Sequence, residues 1–183
     1  MAFNVPSYTV RRFTFGPGIL YMGAAGSTPA VDIGAVKGDA EVSVQRVALE
    51  LKQGSPQSLV KKFAVEENVS LKVTGVEWNW NNLSYALGAG VTSQVGAAEV
   101  FEFGGDLEFS TRALRYVHIM PDGSTIDIHV FSAEGLGELV IALKETDFHE
   151  FPYQFNALEG SVDFTNSALA SNKKKFKIIH TKA

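Results

Sequence analysis

Residues 39–52 read Asp39-Ala40-Glu41-Val42-Ser43-Val44-Gln45-Arg46-Val47-Ala48-Leu49-Glu50-Leu51-Lys52. The segment Gln53-Gly54-Ser55-Pro56-Gln57 follows, and then a return run from Ser58 to Val76. The first run starts with clean alternation, with Val42 and Val44 on one face and Glu41, Ser43 and Gln45 on the other, the period of a half-buried strand. At Arg46-Val47 the phase slips, and Val47, Leu49 and Leu51 continue the apolar row. One slipped residue is what a bulge in this strand produces. On the return run Val69, Leu71 and Val73 oppose Ser70, Lys72 and Thr74. Strands of this length exceed those usual in a compact domain, so the hairpin, over residues 46–66, is expected to project beyond its own core.

Working outward, Glu77-Trp78-Asn79-Trp80-Asn81-Asn82-Leu83-Ser84-Tyr85-Ala86-Leu87 predicts one short helix. Asn79 stands as its N-cap and Gly88-Ala89-Gly90 as its stop. Trp78, Leu83, Ala86 and Leu87 fall near helical spacing, and Trp78, Leu83 and Leu87 are the expected core face. Before the hairpin, strands are predicted over 7–15, 19–22 and 32–36, broken by Gly16-Pro17-Gly18 and the small-residue loop 23–30. After the helix, 89–98 reads as a Gly/Ala/Ser loop. Strands follow over 99–103, 106–109, 113–120, 125–131, 137–144, 148–158, 161–164 and 176–180, with a polar loop at 165–175. The expected fold is mainly β: two packed antiparallel sheets in a sandwich or barrel-like arrangement, one flanking α-helix and a long projecting hairpin. Residues 1–183 form one domain, with residues 1–15 as an N-terminal arm.

The chain has 183 residues and no cysteine. That excludes a disulfide scaffold, a thiol nucleophile and a cysteine-ligated zinc site. The first six residues lack the basic start and apolar run of a secretory leader. No apolar run is long enough to span a bilayer, so a chain used in the cytosol, without a membrane partner, is expected. The formal net charge is −4, yet residues 164–183 hold five lysines and no acidic side chain. Residues 1–163 therefore carry 11 basic and 20 acidic groups, a formal −9. A body this acidic lacks the clustered cations that grip phosphate, and the lysine segment reads as a solvated basic loop.

The candidate chemistry lies on the 113–131 hairpin, where Pro121-Asp122-Gly123-Ser124 marks a turn. A two-residue Asp122-Gly123 turn pairs Ile119 with Ile126 and Val117 with Ile128. It gathers Tyr116, His118, Asp127 and His129 on the other face. An Asp that orients a His is half of a general-base arrangement, and two His with an Asp can hold a metal. No Gly-x-Ser-x-Gly, phosphate loop or dinucleotide fingerprint accompanies them. The expectation is therefore no enzyme activity, no catalytic or metal residues and no cofactor. A binding module or enzyme using this His-Asp face stands as the rival reading.

The runs Phe15-Gly16-Pro17-Gly18-Ile19-Leu20-Tyr21-Met22-Gly23, Ile33-Gly34-Ala35-Val36-Lys37-Gly38, Gln53-Gly54-Ser55-Pro56 and Val73-Thr74-Gly75-Val76-Glu77-Trp78 are in an order and spacing that resembles the major tail (tail tube) proteins of tailed bacteriophages. The segment Phe151-Pro152-Tyr153-Gln154-Phe155-Asn156-Ala157-Leu158 is similar to that family's closing strand. The resemblance implies a virion structural protein made in the host cytoplasm. Its subunits would form rings, commonly hexameric, that stack into a hollow tube. DNA would pass through the lumen without specific binding. Expected partners are further copies of the chain and other tail proteins: tape measure, baseplate or tip, terminator and possibly a sheath. The long hairpin would bridge rings through Val47, Leu49, Leu51, Gly54, Pro56, Leu59 and Phe63. Candidates for the lumen surface are Glu41, Ser43, Gln45, Ser70, Lys72 and Thr74, with Lys72 opposing Glu41 or a neighbour. A type VI secretion-like tube ring with protein cargo is the alternative within the same architecture.

Overall fold

The computed structural model describes residues 18–38, 40–77, 79–105, 108–135, 145–147 and 149–183. The expected N-terminal arm 1–15, the strand over 137–144 and Trp78 lie outside the described residues. So do Phe148 and the start of the strand expected over 106–109. The chain is mainly β; among the described residues there is one helix, and the strands form two antiparallel sheets of unequal size.

The larger sheet is built from β1 (Gly18–Ala24), β2 (Val31–Asp32), β3 (Glu41–Gln53), β4 (Ser58–Gly75), β7 (Thr111–Ile119), β8 (Thr125–Gly135), β9 (Phe151–Ala157) and β10 (Phe176–Thr181). The strand order is β2-β1-β7-β8-β9-β4-β3, and β10 also pairs with β8. One edge of β8 serves two strands in tandem: residues 125–130 take β10 and residues 133–135 take β9. The smaller sheet is the hairpin β5 (Val91–Val95) and β6 (Ala98–Glu102).

Residues 31–37 tie the two ends of the large sheet together. Asp32 and Val31 pair with β1, and Ile33 N–H donates to Leu20 O at 3.1 Å. Three residues on, Val36 bridges Gly75 of β4: Lys37 N–H donates to Thr74 O at 2.9 Å and Val76 N–H to Ala35 O at 3.0 Å. The sheet therefore rolls round one main apolar core, its opposite walls facing each other as in a sandwich, with a smaller cluster of Ala113, Phe131 and Phe164 outside it. The walls supply Leu20 and Met22 from β1, Leu71 and Val73 from β4, Leu114 from β7, Val130 from β8, and Phe151, Tyr153 and Phe155 from β9, all at most 2% exposed. Their alternation with outward polar residues is plain in β9, where Phe151, Tyr153, Phe155 and Ala157 are buried between Pro152, Gln154 and Asn156.

Helix α1 (Trp80–Leu87) covers one end of the roll. Its predicted ends hold. The Asn79 side chain accepts from Asn81 N–H, and Gly88 caps the other end at φ 65°, a left-handed conformation that glycine adopts without strain. Leu83 is buried, Leu87 is half-buried, and Asn82 Nδ2 donates to the seam at Ile33 O, 2.7 Å away. Gly135 of β8 touches the helix backbone so closely that a Cβ there would stand 1.9 Å from Ala86 O.

Four expectations are corrected. Residues 89–98 are not loop: Val91–Val95 forms a strand that turns at Gly96-Ala97 into β6, and its weakly apolar alternation hid it. Residues 161–164 are not a strand but contribute only the bridge Val162↔Ala168. Of the strand expected over 32–36, only Asp32 lies in β2, with Val36 an isolated bridge. The phase slip in β3 is not a bulge of that strand: β3 runs on without an extra residue, and the irregularities place Val65 and Val60 of β4 unpaired. Val47, Leu49 and Leu51 thus lie on the face opposite Val42 and Val44, because an unbroken strand alternates its side chains.

The contact at Gly135 is testable. Gly135→Ala forces α1 off the sheet and is expected to lower stability by about 1–3 kcal/mol, measured by urea unfolding.

Candidate functional site

Among the described residues the most distinctive surface is the outer part of the β3–β4 hairpin. Every residue of 43–53 and 58–68 is exposed, and burial begins only at Val69. At ~3.3 Å per residue, the 11 residues 58–68 carry the arm roughly 36 Å from the body. The turn at 54–57 has Gly54 at φ 99° and a cis Ser55–Pro56 bond.

The two faces of the arm differ. On the face continuous with the core, Arg46 bonds Glu67 at 2.6 Å, Lys62 bonds Glu50 at 2.6 Å, and Lys52 stands 3.3 Å from Glu50. The Lys62 contact, with Lys52 behind it, holds the Glu50 carboxyl below its usual pKa. Leu59, opposite Lys52, also lies on this face. The other face carries an apolar strip bordered by Glu66, opposite Val47, and Lys61, opposite Leu51. Leu49 is the cross-strand partner of Phe63, with Val47 and Leu51 on either side, and all four are at least 40% exposed. Lys61 Nζ sits 5.0 Å from the Phe63 ring centre, within cation–π range. All seven residues assigned to the bridging hairpin are exposed, and the register brings Val47, Leu49, Leu51 and Phe63 onto one strip while putting Leu59 behind it.

The six candidates for a polar face do come together. Glu41↔Lys72 and Ser43↔Ser70 are cross-strand partners, and Gln45 follows opposite Asn68. The row continues onto β9 through Ser70↔Asn156, Lys72↔Gln154 and Thr74↔Pro152. Val69, Leu71 and Val73 point the opposite way into the core, so the row lies on the outer face of the roll, with one carboxylate and one ammonium directly opposed.

The His118–Asp127 arrangement is overturned. The β7–β8 loop is the three-residue Pro121-Asp122-Gly123, closed by Met120 N–H to Ser124 O at 2.9 Å with Gly123 at φ 82°. This shifts the register by one. His118 opposes Ile126 and Tyr116 opposes Ile128, while Val117 opposes Asp127 and Arg115 opposes His129. Tyr116 and His118 therefore share the core side, and Asp127 and His129 the other. Sequence reading missed Arg115, whose guanidinium bonds Asp127 through Nε at 2.9 Å and Nη2 at 2.6 Å. His129 Nε2 is 3.0 Å from Asp127 Oδ1 but out of line for a hydrogen bond, and its ring stacks on Phe164 at 4.4 Å. Burial pushes the Asp127 pKa up, but Arg115 and then His129 outweigh it and leave the carboxyl below its usual value. The cluster is an ion pair with Phe164 of the 158–175 loop lying over the adjacent His129. No group of three metal-ligating side chains occurs among the described residues.

The lysine segment packs at the root of the arm. Lys175 Nζ donates to Glu67 O, and Lys174 Nζ is 3.4 Å from Glu159. No helix among the described residues is long and apolar enough to cross a membrane. These features define a rolled β domain with an uncovered amphipathic arm. Comparison with protein-family models and with curated proteins gives no match.

Asp127→Asn strands the Arg115 charge and is expected to cost about 1–3 kcal/mol at neutral pH, less than a fully buried pair because Arg115 reaches solvent. Since the folded-state pKa of Asp127 is depressed, its contribution is complete above the ordinary carboxylate range. It is lost as pH falls through the folded value. The gap between wild type and variant should therefore close on acidification, followed by thermal melts across pH.

Proposed function

We propose that this chain is a structural subunit of a tailed-phage tail tube: copies close into rings, commonly hexameric, and the rings stack into a hollow conduit for DNA. The observation that carries this reading is the arm. A two-stranded hairpin standing alone in water is marginal, yet this one is long and presents an apolar strip of Val47, Leu49, Leu51 and Phe63 that the described residues leave exposed. Fully burying such side chains contributes about 1.5–3 kcal/mol each, so the strip favours contact with another molecule. The outer edge of β3 has no strand partner among the described residues, and such edges are normally paired or covered. Ring closure by identical neighbours would cover it.

The polar row from Glu41 to Thr74, extended by Gln154 and Asn156, suits a lumen wall. Its single lysine stands opposite a glutamate, so it offers little net positive charge to hold phosphates in passage. Tape-measure, baseplate or tip, terminator and sheath proteins would be the partners at the tube's ends, core and surface.

Concentrated protein examined by negative-stain microscopy is expected to form rings or hollow filaments. Removing residues 47–65 should leave the rolled body folded, with its thermal transition retained, and abolish stacking. A wild-type protein that stays monomeric at high concentration would sink the proposal.

A further inference from the structure

We infer that the apolar face of the arm docks on the outer face of the small β5–β6 sheet of a second copy of this chain, so that copies join head to tail. The inference rests on the tube reading and names the surface that would receive the hairpin.

Among the described residues the small sheet presents a second exposed apolar face. Its inner side is occupied: Phe101 lies parallel to the Trp80 ring at 6.1 Å, and Thr92 Oγ1 donates to Asn81 Oδ1 at 3.2 Å. Its outer side carries Val91, Val95, Ala98 and Val100 by register, with Val91 63% and Val95 67% exposed. Two flat sheet faces of this kind stack at about 10 Å with interdigitated side chains.

The two faces leave the body at opposite ends. β4 enters from the arm at Val69 and crosses the body to Gly75, and α1 begins five residues later with β5–β6 beyond it. A contact between opposite ends, made once per pair of copies and not exchanged reciprocally, stays unsatisfied on both sides. It leaves one free face of each kind and propagates.

Charge selects the same polarity. Residues 73–111 contain five acidic side chains and no basic one, whereas residues 164–183 contain five lysines and no acidic one. The first group makes up the helix and small-sheet end, and Lys174 and Lys175 of the second sit at the arm's root. Within the faces themselves, the arm strip has Lys61 beside Phe63 towards its tip and Glu66 opposite Val47 at its base, while Glu102 flanks Val91 on the small sheet, so the tip half of the strip is the part that complements the small sheet. Unlike ends attract and like ends repel, which disfavours arm-to-arm and sheet-to-sheet pairing.

The absence of cysteine gives a clean test. Leu49→Cys and Val95→Cys are purified separately, mixed at a concentration where the wild type assembles, and oxidised mildly. The expected result is a disulfide-linked dimer on a non-reducing gel from the mixture. Neither variant alone should give it, nor should Leu59→Cys, on the arm's charged face, mixed with Val95→Cys. The yield should fall as salt rises, since the steering charges are exposed. A dimer from Leu49→Cys alone would mean arm-to-arm contact and overturn the inference. Tubes in the micrograph without mixed dimers would overturn this docking surface while leaving the tube reading intact. Neither tubes nor dimers would overturn both.

Discussion

The hydrogen bonds of residues 31–37 hold the fold shut. Without them the large sheet would be an open, strongly twisted ribbon with β1 and β4 as distant neighbours. With them Leu20 and Leu71, on strands at opposite ends of the sheet order, line one core. The same segment receives the helix, because Ile33 offers its N–H to Leu20 and its carbonyl to Asn82. Closure of the sheet and coverage of its end therefore depend on the same few backbone groups.

A closed body makes the open arm more telling. The core strands have their partners, whereas the same β3 and β4 that finish the roll run on into water with an apolar face uncovered. The arm's charged face is internally satisfied by the Arg46–Glu67 and Glu50–Lys62 pairs. Exposed pairs of this sort add little stability. They do disfavour use of that face for apolar contact, because docking there would strip water from four charges. The hairpin is thus polarised towards one side, and the polar row nearer its base shares that side.

Local patterns were legible in the sequence, while long-range ones were not. The hairpin announced itself through alternation and a Gly-Ser-Pro turn, and α1 through Asn79 and Gly88, because both depend on neighbouring residues alone. The seam has no periodicity; its residues pair with strands at separations that local patterns do not report, Asp32 with Tyr21 and, most plainly, Val36 with Gly75. The His118–Asp127 pairing failed on a single residue of loop length. In a sheet, a slip of one exchanges the faces of every side chain, and so Arg115 took the place assigned to His118. The apparent bulge in β3 misled for a related reason: the apolar row truly changes sides at Val47, marking where core packing ends and the free strip begins.

The way β4 is held has a mechanical consequence. A pull along the arm acts parallel to the strands, and the six register pairs from Ser70↔Asn156 to Gly75↔Phe151 share it together. Bonds loaded in shear yield as a group, whereas bonds opened from one end part in succession. Tension entering through the arm would pass by β9 into β8, the strand that also carries β7 and β10. The projecting part of this molecule is therefore anchored as a cable is, along its length.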